Sequence, residues 1–98
     1  MPYFQLTLSG DGISVPIEGE ADPIIGFFTT RVVTAADPTI AAALAMSLVS
    51  REWSHGKYAQ QNRGGMPSLS VTASSKIGFF KGTFGRRPAG YVFFRYND

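Results

Sequence analysis

The residues best suited to chemistry in this chain form one basic and aromatic run: Lys76, Lys81, Arg86 and Arg87 interleave with Phe80 and Phe84, and Arg95 follows. Cations neutralise phosphates and exposed rings stack on unpaired bases, so this pattern on a strand surface fits single-stranded RNA or DNA. A plainer reading places the rings in a core and the charges in water. Arg86-Arg87-Pro88 likewise has the guanidinium forks of an anion site and the make-up of a solvated hairpin tip. No complete RNA-recognition signature accompanies the run.

Little else in the sequence supports reaction chemistry. His55 is the one histidine and cysteine is absent, so thiolate ligands, disulfides and a cysteine nucleophile are excluded. No Gly-x-Ser-x-Gly elbow or spaced metal-ligand set is present, and a lone histidine makes no triad. Glu18, Glu20 and Asp22 read as a solvated acidic loop, because Pro23 ends the run before a cation loop is complete. No catalytic residue, metal or cofactor is therefore expected.

Acids prevail before residue 51 and bases after it, although the net charge is only +2 over 98 residues. Such asymmetry can steer an anionic partner or let two copies meet with complementary potentials. The first residues lack the pattern of a secretory leader, and the apolar stretch from Ile40 to Val49 is too short to cross a bilayer. A soluble, cytoplasmic protein of one domain, residues 1–98, is expected.

The elements that must position these residues follow from periodicity. Phe4, Leu6 and Leu8 alternate with polar residues, as do Ile13, Val15 and Ile17, giving two strands joined by a turn at Ser9-Gly10-Asp11-Gly12. Ile24 to Thr34 is a third strand with apolar residues in both phases, and Tyr91 to Tyr96 is a final one of the same kind. Asp37 and Pro38 open a helix reaching Trp53, in which Ile40, Leu44 and Leu48 form one stripe, Met46, Val49 and Trp53 widen it, and alanines allow close approach to a sheet. Residues 57–67 read as a polar loop with one helical turn. Leu69, Val71, Ala73, Ile77 and Phe79 then share one phase of a long, half-buried strand.

The sequence Ile-Gly-Phe-Phe occurs at Ile25 to Phe28 and again at Ile77 to Phe80. Each glycine reads as a bend or bulge, and each ring pair as one ring for the core and one for the opposite face. The order β-β-β-α-β-β predicts an α+β fold: a strongly curved, mainly antiparallel five-stranded sheet, or a small partly open barrel, carrying one helix. A ferredoxin-like split sheet is the alternative.

Strands apolar on both faces need a cover that one small protomer lacks. The expected function is accordingly a non-enzymatic binding or assembly module that self-associates as a homodimer through Phe28, Val32, Phe80, Phe94 and Tyr96. The alternative partner is a single-stranded nucleic acid, or another anion, at the basic and aromatic residues named above.

Overall fold

A computed structural model describes residues 2–78 and 90–95. Of the residues expected to carry function, Phe80, Lys81, Phe84, Arg86, Arg87 and Tyr96 lie outside these, as does the ring pair of the second Ile-Gly-Phe-Phe stretch. The elements are β1 (Tyr3–Val15), β2 (Ile24–Thr34), α1 (Pro38–Ser54), α2 (Lys57–Gln61), β3 (Ser68–Ile77) and β4 (Tyr91–Arg95). The fold is α+β, with a four-stranded sheet ordered β3-β1-β2-β4 and every neighbouring pair antiparallel. Both helices fall between β2 and β3, which is not the β-α-β-β-α-β order of a ferredoxin-like sheet.

The two expected N-terminal strands are a single strand. Gly10-Asp11-Gly12 makes no hairpin turn, because β1 pairs with the whole of β2 from Tyr3↔Thr34 to Val15↔Ile24. Glycine is used there for a bulge: the register shifts between Asp11 and Val15, and Gly12 has φ +83°. Asn62 holds this bulge from outside. Its Oδ1 accepts from the Ser14 N–H at 2.9 Å, and the next residue's amide, that of Arg63, donates to the Ser14 carbonyl at 2.7 Å.

Gly26 adjoins the expected bulge, since the β2–β4 register shifts between Ile24 and Gly26. It also has a second use, as a seat for a ring. Gly26 pairs with Phe94, and a Cβ there would collide with the Phe94 ring. Gly10 pairs with Phe27 in the same way on the opposite face.

Helix α1 starts where its signals place it. Asp37 Oδ1 accepts the Ile40 N–H at 2.9 Å and Pro38 occupies the first turn. The face it lays on the sheet is the expected one in part: Val49, Trp53 and close-packing alanines belong to it, and the stripe of Ile40, Leu44 and Leu48 does not. Ala41, Ala45, Val49 and Trp53 are buried, whereas Ile40, Leu44 and Leu48 are exposed. Alanines lower the helix onto Phe4, Leu6, Leu8, Phe27 and Val33, and Phe27 stacks on Trp53 with centroids 5.1 Å apart. Small residues permit that approach; leucines in their place would hold the helix off the sheet.

Strand β3 is mostly exposed rather than half-buried, and its phase changes midway. A bulge at Thr72 separates Leu8↔Val71 from Thr7↔Ala73. Leu69 and Val71 therefore share the helix side with Gly10 and Leu8, while Ala73 and Ile77 pass to the outer face. The Thr72 hydroxyl donates to the Thr7 carbonyl at 3.1 Å beside the bulge.

Candidate functional site

Two kinds of unusual feature stand out: a buried polar cluster under the helix, and apolar surfaces left exposed among the described residues. The cluster begins with Arg31, which points to the helix side of β2 in phase with Phe27, Thr29 and Val33 and is buried. A buried guanidinium needs partners for its donors. Glu52 supplies a two-pronged carboxylate, accepting from Nη1 at 2.7 Å and from Nη2 at 3.0 Å, and Thr29 Oγ1 accepts from Nε at 3.1 Å.

Tyr91 closes the cluster from β4. Its hydroxyl donates to Glu52 Oε1 at 2.6 Å, and its ring lies 5.2 Å from the Arg31 guanidinium carbon. The Thr29 hydroxyl donates to the Gly90 carbonyl at 2.9 Å. One set of contacts thus ties β2, α1 and β4 together. The rings of Phe27, Trp53, Tyr58, Tyr91 and Phe93 stack or meet edge to face around it.

Each group in the cluster is held in its usual charge state. The hydrogen bond from Arg31 draws the Glu52 carboxyl below its ordinary value, against the effect of burial. Burial lowers the Arg31 pKa, but the hydrogen bond and charge of Glu52 outweigh it and leave a net rise. Burial and the nearby carboxylate push the Tyr91 phenol well above 10.0. The Trp53 indole N–H lies near enough to favour the phenolate slightly, yet it makes no hydrogen bond. An ionised acid, a charged base and a protonated phenol that satisfy one another form a clamp; none is left poised to exchange a proton at neutral pH.

The uncovered surfaces lie on the outer face of the sheet and on one flank of α1. Phe28, Phe94 and Val32, three of the five residues expected at a self-association surface, share the outer face. Phe28 is 43% exposed and its ring centroid is 5.6 Å from that of Phe94. Val92, opposite Phe28, is 69% exposed and was absent from the expectation. Its signal is the alternation Tyr91-Val92-Phe93-Phe94, in which Tyr91 and Phe93 take the core side. Elsewhere on this face the residues are mainly hydroxylic, with Thr7 bonded to Thr30 at 3.1 Å.

The flank of α1 carries Ile40, Leu44 and Leu48, each more than two-fifths exposed. Leu44, Ser47, Leu48 and Arg51 face Val33 and Thr34 of β2 across an open groove of about 320 Å³. The expected nucleic-acid residues are dispersed by comparison. Lys76 is exposed on β3 at one edge of the sheet, and Arg95 is on β4 at the other, 3.0 Å from Glu20 in an ion pair. No cluster of metal-ligating side chains occurs among the described residues. No helix among them is long and apolar enough to cross a membrane.

No family model matches this chain, and neither a curated protein nor a solved structure matches it. The class is set by architecture: a small α+β protein with a four-stranded antiparallel sheet, helix-covered on one face.

Proposed function

We propose that the chain is a non-enzymatic assembly module that works as a homodimer. The observation carrying this reading is that apolar side chains remain outside on two surfaces, Phe28, Val92 and Phe94 on the sheet and Ile40, Leu44 and Leu48 on α1. Contiguous apolar surface of this kind marks association sites, and a two-fold dimer is the commonest way to cover it. The polar cluster at Arg31 supports the same reading: it fixes β4 and α1 to β2, so both surfaces are presented on a rigid frame.

A strongly curved, partly open barrel form of the sheet belongs with this proposal. The bulges at Gly12, Ile25 and Thr72 each add local twist, which curls a sheet around the helix packed on it, α1. A chain free of cysteine also fits a reducing compartment, and we place its action in the cytoplasm. The single-strand alternative gains no support from Lys76 and Arg95, which stand at opposite edges of the sheet.

Sedimentation equilibrium tests the reading. A mass that rises with concentration to twice that of the chain is expected. A single chain's mass at every concentration would remove it.

A further inference from the structure

Resting on that reading, we infer that the surface joining the two copies is the exposed flank of α1, paired antiparallel with itself across a two-fold axis at Leu44. The argument starts from what a self-complementary surface must satisfy. Across a two-fold axis, residue i meets residue j and j meets i. For two antiparallel helices with the axis at residue 44, the numbers of facing residues sum to 88.

The exposed flank meets that condition in both size and charge. Leu44 faces its own copy, and Leu48 faces the partner's Ile40. One turn further out, Arg51 faces the partner's Asp37. Ile40, Leu44 and Leu48 are all exposed, as are Asp37 and Arg51 at the two ends. The stripe therefore reads acid, three apolar residues, base, and its reversal supplies base against acid at both ends. Among the described residues neither Asp37 nor Arg51 makes an ion pair. Asp37 uses Oδ1 to cap α1 through the Ile40 amide, so its second oxygen remains for a guanidinium.

The surroundings permit close approach. Ala43 and Ser47 flank the stripe and are small and exposed, and the groove between Leu44, Leu48 and Val33 is open to a partner's leucines. Each helix would set its leucine knobs into the groove of the other, the packing usual for antiparallel helices about 8–10 Å apart. The outer face of the sheet shows no such self-complementary order. Its apolar residues gather towards β4, and no lysine or arginine of the described strands falls in its phase, since Lys76 and Arg95 pair with the inward-facing Phe4 and Ile24.

The chain's lack of cysteine makes cross-linking a direct test. Leu44→Cys should join to its own copy under mild oxidation. Ile40→Cys mixed with Leu48→Cys should give the mixed dimer. Ile40→Cys alone should stay uncrosslinked, because two copies of that position lie about 12 Å apart along the axis at 1.5 Å per residue. In sedimentation, Leu44→Asp should weaken the dimer on the order of a hundredfold, since it sets two carboxylates face to face on the axis.

Arg51→Glu should weaken it about tenfold, and adding Asp37→Asn, which removes the repulsion without restoring the attraction, should recover about half of that loss in free energy. Asparagine keeps the helix cap while removing the charge. Phe28→Asp should leave the dimer intact. A wild-type dimer that survives Leu44→Asp but is lost with Phe28→Asp overturns this inference and leaves the self-association reading standing. Cross-linking of Ile40→Cys to itself overturns the antiparallel register. A wild-type chain monomeric at every concentration removes both.

Discussion

The two flanks of α1 differ in a way that inverts the usual expectation: the alanine flank is buried and the leucine flank is exposed. Ala41, Ala45 and Val49 lie against the sheet, while Ile40, Leu44 and Leu48, each one position earlier, face outward. Over the first three turns of this helix, burial follows size rather than hydropathy. The sheet beneath already carries Phe4 and Phe27, and small residues let the helix settle onto them until Trp53, in its last turn, stacks on Phe27. The larger side chains are thereby left for whatever the molecule meets.

The largest test of this contrast places one charge on either flank. Ala45→Asp buries a carboxylate with no partner and should cost at least ~3 kcal/mol, seen as a large fall in the urea midpoint. Leu44→Asp, one residue away, should leave the isolated protomer's stability within about 0.5 kcal/mol. Equal losses at the two positions would refute the assignment of faces.

Next in size is the sheet under the buried flank. Gly10→Ala drives a methyl into the Phe27 ring, which is itself stacked on Trp53, so the ring must leave its seat. A loss of about 1–3 kcal/mol is expected in chemical denaturation. An unchanged midpoint would show that the ring does not lie over the glycine.

The smallest effect concerns the clamp that anchors the helix at its far end. Glu52 has a folded pKa below its ordinary 4.5, so its contribution is complete above that value and is lost as pH falls through the folded one. Tyr91 has a folded pKa above 10.0; its contribution is complete below 10.0 and is lost as pH rises through the folded value. Glu52→Gln should therefore lower neutral-pH stability by about 1–2 kcal/mol, a figure reduced for its partial exposure, and flatten the acid limb of a melting-temperature profile. Tyr91→Phe should flatten the alkaline limb. Profiles identical to wild type would dismiss the clamp.

How much of this could be read in the sequence depends on whether the deciding signal is local. Asp37 and Pro38 mark the helix start because capping is local chemistry, and the bounds of β2 follow from its apolar run between Pro23 and Ala35. The helix faces were legible only in part: Val49, Trp53 and the close approach through alanines could be read, but Ile40-Leu44-Leu48 and Ala41-Ala45-Val49 share one period and hydropathy favours the larger set. Gly10-Asp11-Gly12 serves a turn or a bulge equally well, and it is the full-length pairing with β2 that decides for a bulge.

The Thr72 bulge carries no glycine to announce it, so the phase change in β3 was invisible. Arg31 gives one faint signal, a charge in the inward phase of an apolar strand. Its partner Thr29 is close in sequence, but the carboxylate that matches the guanidinium charge is 21 residues away at Glu52, and Tyr91 is farther still. The outward placement of Phe28, Val32 and Phe94 was legible because adjacent aromatic residues on a strand must part to opposite faces.

The division of α1 into a buried small flank and a mating large flank is tested most directly by methyl NMR over a dilution series. The methyl signals of Ile40, Leu44 and Leu48 should move with concentration while those of Leu6, Leu8 and Val49 stay fixed. Signals from Leu44 and Leu48 that never move, or movement confined to Val32 and Val92, would contradict it.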